Sequence, residues 1–151
     1  MEKRRPTLIL SGQQLCRDKM LNNLLLKKYN LVCLKDTKRL EAAAIRKGAN
    51  LIIIELLRNG TPQLEIVKRL KAKLAEIAIV VVTGNQDVQD NAEILIAGAS
   101  DVFPLPYHPE FLAERVDGLL KFFNSSTLID KVSIQCLGLS SILHLCGEFI
   151  N

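Results

Sequence analysis

Five short runs of apolar residues, separated by stretches with helical periodicity, constrain the fold of this chain more than any other feature. The runs are continuous and aliphatic instead of alternating with polar residues. This is typical of strands that are covered on both faces of a parallel sheet. The predicted strands are Thr7–Leu10, Leu31–Leu34, Leu51–Ile54, Ile77–Val82 and a short run at Asp101–Phe103.

Apolar residues three or four positions apart predict a helix after each run. Thr61–Pro62 is a good start signal for the third helix, and Asp36–Thr37 is predicted to cap the second. Gly48 and Gly98 follow the second and fourth helices, where a left-handed cap is needed. The first predicted helix is Gln13–Lys28, where Cys16, Met20 and Leu24 recur every four residues with Leu21 and Leu25 beside them. The others are Thr37–Lys47; Pro62–Leu74; one entered at Asp87 and marked by Val88, Leu95 and Ile96; and one with Pro109 near its start.

This fivefold alternation of strand and helix predicts an α/β fold, a doubly wound parallel sheet of five strands. In such a sheet, functional residues gather at the carboxyl ends of the strands. Those ends carry Ser11–Gly12, Glu55–Leu56, Thr83–Gly84 and Leu105–Pro106.

Composition excludes several classes of function. With 151 residues, 48% of them hydrophobic and 24% charged, the chain is globular. The net charge of +4 is dispersed over the predicted helices, so no nucleic acid is expected as a partner. No run approaches the ~18 apolar residues of a membrane span, and no membrane association is expected.

The cysteines and histidines form no recognisable metal pattern. No two of the four cysteines have C-x-x-C spacing, and His108 and His144 do not complete a site, so neither a metal nor another cofactor is predicted. Three of the four cysteines lie in apolar runs, where a cysteine is most often a small buried hydrophobe. We expect reduced thiols and a cytoplasmic protein. The cysteines are Cys16, Cys33, Cys136 and Cys146.

Three collinear blocks resemble the receiver domain of bacterial response regulators, over residues 5–123. They are Leu51–Leu70, which resembles the strand and loop that hold the phosphoacceptor; Ile79–Gly84; and Ala97–Glu110, which resembles an Ala-Gly-Ala-Asp-Asp-Tyr block that ends in Lys-Pro-Phe. The resemblance implies a flavodoxin-like fold with strand order 2-1-3-4-5. It also implies a role in two-component phosphorelay signalling.

The residues that perform the family's chemistry are mostly replaced. The phosphoacceptor position, an Asp in the family, is Glu55, and the lysine position is Leu105. The acidic pair that holds Mg²⁺ falls on Ser11 and Gly12. Of the two switch positions, Thr83 keeps the family's type and Val102 replaces an aromatic residue. The resemblance therefore implies a pseudo-receiver that is not an enzyme and is not phosphorylated in the usual way.

Two interpretations of Glu55 follow from its place at a strand end. Its carboxylate is either solvated, which we favour, or it stands where a phosphate would and receives a hydrogen bond from Thr83. The expected partner is a protein, such as a sensor kinase or a downstream effector. A homodimer through the fourth helix, fifth strand and fifth helix is also predicted. The alternative function is a small-anion or metabolite site formed by Ser11, Gly12, Thr83 and Gly84.

The last segment differs from the rest of the chain. Residues 1–123 are predicted to form the receiver-like domain, and Asn124–Ser126 to break the chain. Residues 124–151 are too apolar for a loose tail. We expect them to be either a C-terminal extension that packs on the sheet domain or the start of a truncated second domain.

Overall fold

The computed structural model describes residues 5–56, 61–84 and 88–123. Strands and helices alternate along these residues as the sequence predicts, and each strand bound agrees with its prediction to within two residues. In chain order the elements are β1 (Thr7–Ser11), α1 (Gln13–Arg17), α2 (Lys19–Leu26), β2 (Asn30–Leu34), α3 (Leu40–Lys47), β3 (Leu51–Leu56), α4 (Thr61–Lys73), β4 (Ala78–Thr83), α5 (Val88–Ala97), β5 (Asp101–Pro104) and α6 (Pro109–Phe123).

The five strands form one parallel sheet in the order β2-β1-β3-β4-β5, which confirms the predicted topology. Helices cover both faces, so there are two apolar cores. The first core lies between the sheet and α1, α2 and α6. The second core lies between the sheet and α3, α4 and α5.

Burial along the strands follows from this order. Every residue of β3 and β4 is buried, and so are four of the five residues of β1. The edge strands β2 and β5 are partly exposed. The prediction that all five strands are covered on both faces is therefore wrong for the two edges, because an apolar run does not reveal the place of its strand in the sheet.

The first predicted helix is divided at Asp18 into α1 and α2. The Asp18 carboxylate caps α2 by accepting a hydrogen bond from the Leu21 amide at 3.0 Å. The break rotates the buried face, so Leu21 and Leu25 face the core while Met20 is 56% exposed. Of the apolar positions in the predicted helix, Leu21 and Leu25 are confirmed as buried, whereas Met20 is exposed and Leu24 is only partly buried.

Two other helices differ in detail from the prediction. Helix α3 begins at Leu40, because Asp36 accepts from the Lys38 amide in a local turn and does not cap the helix. Among the α5 residues whose side chains the structure describes, 90–97, Ile94 is buried, whereas Leu95 and Ile96 are exposed. The predicted glycine caps are confirmed at Gly48 and Gly98, both of which have positive φ.

Helix α6 is tied to the segment after α2, on the same face of the sheet, by polar contacts. Asp117 accepts a hydrogen bond from the buried Tyr29 hydroxyl and pairs with Lys28 at 3.0 Å. Burial, followed by Asp117, raises the pKa of the Tyr29 phenol well above its ordinary value. Over the described residues, no helix has both the length and the apolar character that a membrane crossing requires.

Candidate functional site

Glu55 lies at the carboxyl end of β3, and its carboxylate is enclosed by the protein. The residue is 8% exposed and pairs in register with Val82 of β4. One carboxylate oxygen accepts hydrogen bonds from the backbone amides of Gln14, at 3.0 Å, and Leu15, at 3.3 Å. The first amides of a helix have no partner within the helix, so the carboxylate supplies one to the first turn of α1.

Gly12 makes room for the Glu55 side chain. A Cβ atom at residue 12 would lie 2.5 Å from Glu55 Oε2 and 2.8 Å from its Cδ, which is closer than real atoms approach. The backbone of Gly12 also has φ +142°, a conformation that residues with a Cβ rarely adopt. Any acidic residue at position 12 would therefore collide with Glu55 as it is placed here.

Ser11 and Thr83 are buried at the ends of two inner strands. Ser11 is 1% exposed, and its hydroxyl donates to the Asp36 carbonyl at 3.3 Å, which ties β1 to the loop before α3. Thr83 is 2% exposed and pairs in register with Leu56, one residue beyond Glu55. Side chains of neighbouring residues in a strand point to opposite faces of the sheet, so Thr83 shares a face with Leu56 and not with Glu55. This register does not favour a hydrogen bond from Thr83 to Glu55.

Leu105 and Val102 serve as apolar contacts. The Leu105 amide donates to the Thr83 carbonyl at 2.8 Å and so continues the pairing of β4 with β5. Its side chain is partly buried against the first core, while Val102 packs against the second core. Neither side chain can supply a charge or a hydrogen bond to a ligand.

Tyr107 fastens the loop after β5 to the α1–α2 junction. Its hydroxyl donates to the second Asp18 oxygen at 2.6 Å, while the first oxygen caps α2. Burial is the main cause that raises the pKa of the Tyr107 phenol, and Asp18 and Glu55 raise it further. The Asp18 carboxylate thus joins the start of α2 to the loop after β5.

A cleft of about 510 Å³ opens beside Glu55, towards β2. It brings Ser11, Gly12 and Glu55 together, as predicted from the strand ends, but Thr83 and Gly84 do not line it. The remaining lining is mixed in charge and comes mostly from α1 and the loop after β2: Gln13, Gln14, Arg17, Lys35, Asp36, Thr37, Leu56 and Ile66.

These residues do not fit a magnesium site of the receiver type. Mg²⁺ requires several oxygen ligands, with carboxylates among them. The Ser11 hydroxyl is turned to a backbone carbonyl, Gly12 has no side chain, and the Glu55 carboxylate already accepts from two amides. Among the described residues, no three His, Cys, Asp or Glu side chains cluster as metal ligands would.

Comparison with known proteins finds similar sequences and structures, although no family model matches the chain. The chain is 31% identical over 72 residues to Protein PetR of Rhodobacter capsulatus, covering 48% of this chain and 30% of PetR. It is 24% identical over 95 residues to the phosphate regulon transcriptional regulatory protein PhoB of Pseudomonas aeruginosa, covering 62% and 42% of the two chains. The chain thus spans less than half the length of either relative.

Solved structures of response regulators share the whole sheet. One from Thermotoga maritima matches with a TM-score of 0.70 at 19% identity, covering 78% of this chain and 98% of that one. An orphan response regulator of H. pylori matches with a TM-score of 0.66 at 18% identity, covering 77% of this chain and 98% of that one. An atypical orphan response regulator, whose structure revealed a phosphorylation-independent regulatory mechanism, also matches at 0.66, with 19% identity and coverage of 77% and 96%.

The chain has the receiver fold. In the receiver fold, the ends of β1 and β3 meet, and here they bring Ser11, Gly12 and Glu55 into one cluster. The interpretation of Glu55 as a solvated carboxylate is wrong, because the residue is buried and accepts from two amides. The roles predicted for Thr83, Val102 and Leu105 remain predictions. Residues 124–151, with both predictions about them, lie outside the described residues.

Sequence reasoning missed the groups that hold the receiver's Glu55 and the loop beside it. The Gln14 and Leu15 amides leave no signal in side-chain chemistry, so only the fold could reveal them. Asp18 did leave a signal, since Asp is a preferred helix cap and an amphipathic run starts directly after it. Tyr107 could be paired with Asp18 only after the fold brought the loop after β5 to the α1–α2 junction.

Proposed function

We propose that this receiver-like domain takes part in two-component signalling by binding another protein, without phosphorylation of residue 55. The partner is a sensor kinase, a downstream effector or a second copy of the domain. The observation that carries the proposal is the buried Glu55 carboxylate, which accepts from the Gln14 and Leu15 amides over the Cβ-free Gly12.

This arrangement opposes phosphoryl transfer in three ways. The carboxylate is bound to α1 and is not free to attack in line, and a misplacement of about 1 Å can cost ~10²-fold in rate. Ser11 and Gly12 offer no charge to a divalent cation. Leu105 offers no cation to balance the phosphoryl oxygens.

The alternative function, a small-anion or metabolite site, is less well supported. The α1 amides that could receive an anion already bind Glu55, whose negative charge would also repel an anionic ligand. Arg17 and Lys35 do line the cleft beside it, but so do Asp36 and Glu55. A thermal-shift screen with nucleotides and phosphorylated metabolites tests the alternative, and stabilisation by any of them would favour it.

The proposed interaction face consists of α5, β5 and α6, the fourth helix, fifth strand and fifth helix of the sequence prediction. Exposed apolar side chains support it: Ile96 is 84% exposed, Phe111 is 62% exposed and Leu95 is 40% exposed. Their exposure is unexpected for residues of an amphipathic helix and a helix start, and contact with a partner would bury them. Arg115 and Asp101, an ion pair at 2.5 Å, join α6 to β5 on this side of the sheet.

Intact-mass spectrometry after incubation with Mg²⁺ and a small acyl phosphate tests the absence of phosphorylation. We expect no added phosphoryl group, while a receiver with a complete acidic pocket in the same reaction gains one. The matched variant is Glu55→Gln, which has the same length and no charge. A phosphoryl mass on the natural chain that is missing from Glu55→Gln would overturn the proposal.

A further inference from the structure

Cys16 and Cys33 lie on the same side of the sheet, next to the cluster around Glu55. Cys16 belongs to α1, whose first turn is held by the Glu55 carboxylate. Cys33 belongs to the edge strand β2 and pairs in register with Leu10 of β1. Cys16 is half-buried, whereas Cys33 is exposed, contrary to the expectation that a cysteine in an apolar run is buried.

The contacts of the two sulfur atoms place them in the same small space between β2 and the first two helices. The Cys16 Sγ lies 3.4 Å from the carbonyl oxygen of Leu34, the residue after Cys33, and 3.7 Å from that of Leu10, the register partner of Cys33. The Cys16 sulfur therefore lies close to two backbone carbonyls next to Cys33, one in β2 and one in the neighbouring strand β1.

Asn22 of α2 connects the two cysteines from the other side. Its amide nitrogen donates to the Cys16 carbonyl at 3.5 Å, and its side-chain oxygen accepts from the Cys33 Sγ at 3.5 Å. The Cys33 side chain therefore points towards α1 and α2, which is the side of Cys16. Burial raises the pKa of the Cys16 thiol to about 12, with Cys33 contributing next through its charge and a hydrogen bond.

We propose that Cys16 and Cys33 are a redox-reactive pair, which a hydroperoxide converts to a reversible disulfide that joins α1 to β2. The exposed Cys33 thiolate attacks the peroxide, the O–O bond breaks, and an alcohol or water leaves while Cys33 becomes a sulfenic acid. The Cys16 sulfur then attacks the Cys33 sulfur, the S–O bond breaks, and the hydroxyl leaves with the Cys16 proton as water. Sulfur is oxidised, the peroxide is reduced, and a dithiol restores both thiols by exchange.

The division of roles follows from exposure. Cys33 is accessible to a small oxidant, and a half-buried Cys16 resolves the sulfenic acid before a second oxidant arrives. The bond would hold α1 at its fourth residue, directly after the residues whose amides bind Glu55. Oxidation would thus stabilise the segment that holds the Glu55 carboxylate, and this does not depend on the phosphorylation state of the domain.

The test uses the full chain with Cys136→Ser and Cys146→Ser, because Cys16 and Cys33 are then the only cysteines of the four. One equivalent of hydrogen peroxide is added, and intact mass, thiol alkylation and peptide mapping follow. We expect a loss of two hydrogens, about 2 Da, no alkylatable thiol, a Cys16–Cys33 cross-linked peptide and recovery with dithiothreitol. The thermal unfolding midpoint should rise in the oxidised form, because the cross-link constrains the unfolded chain.

Two further variants in that background separate the roles. With Cys33→Ser, the remaining Cys16 should stay alkylatable after peroxide. With Cys16→Ser, the remaining Cys33 should acquire oxygen or form a disulfide between two chains. The proposal is overturned if the two-cysteine protein keeps both thiols, if its oxidation stops at oxygen-containing forms of Cys33, or if only disulfides between chains appear.

Discussion

The Glu55 side chain lies over the bare Cα of Gly12, at a position where any Cβ would collide with its carboxylate. The identities of residues 12 and 55 are therefore coupled. The Glu55 carboxylate reaches the α1 amides only because residue 12 has no side chain.

Gly12→Ala should destabilise the domain by more than about 2 kcal/mol, since the new Cβ meets Glu55 and the backbone has a strained φ. Urea unfolding measures the change. Gly118→Ala is the matched control, because nothing lies within 4 Å of a Cβ there, and a helical Gly→Ala should be neutral or stabilising by roughly 0.5–1 kcal/mol. Adding Glu55→Ala to Gly12→Ala should recover part of the loss. Simple additivity of the two would contradict the coupling.

Glu55→Gln should cost about 1–3 kcal/mol of unfolding free energy, because two charge-assisted hydrogen bonds weaken and an amide group is buried beside backbone donors. Hydrogen exchange should show reduced protection at the Gln14 and Leu15 amides. Glu65→Gln is the control, an exposed carboxylate paired with Lys68 at 3.6 Å, where the change should stay below about 0.5 kcal/mol. Equal effects at both positions would argue against the cap.

Both tyrosines of the chain should ionise late in the folded state. Tyr29 and Tyr107 each have a pKa raised from the ordinary value of 10.0, first by burial and then by a hydrogen bond to a carboxylate. A phenol with a raised folded pKa contributes stability that is fully present below pH 10 and is lost as the pH rises through the folded pKa. The ultraviolet absorbance of tyrosinate should therefore appear only well above pH 10 or on unfolding.

Tyr107→Phe isolates one of these groups. It should cost about 1 kcal/mol at neutral pH, because Asp18 loses a hydrogen bond, and it should make the decline of stability above pH 10 less steep. Denaturant unfolding at several pH values measures both effects. An unchanged slope above pH 10 would show that Tyr107 titrates alike in the folded and unfolded chains.

Ile96→Glu should weaken self-association if the face of α5, β5 and α6 forms a homodimer. Sedimentation equilibrium measures the dissociation constant, and loss of a central apolar contact should raise it at least tenfold. Ile45→Glu on α3 is matched in residue type and is 58% exposed, but lies away from β5, so it should leave association unchanged. Equal weakening by both variants, or none by Ile96→Glu, would remove this face from the proposal.

The α/β class, the five strands and their approximate bounds could be predicted from the sequence alone. Continuous aliphatic runs such as Leu51–Ile54 are typical of covered parallel strands, and the helical segments between them are typical of crossover connections. The strand-end positions of Ser11, Gly12 and Glu55 followed from the same alternation. Local signals were less reliable where one Asp can serve either a turn or a helix cap. Asp36 forms a turn, and Asp18 ends one helix and caps the next.

Tertiary structure alone decided what Glu55 does. A carboxylate at a strand end can be solvated or buried, and its free energy depends on donors that come from a different segment, here the Gln14 and Leu15 amides some forty residues earlier in the chain. Tertiary structure also brings Cys16 of α1 close to Cys33 of β2. It likewise brings the Tyr107 hydroxyl to the Asp18 carboxylate. Local periodicity encodes which residues are buried, whereas hydrogen bonds between distant segments exist only after the chain has folded.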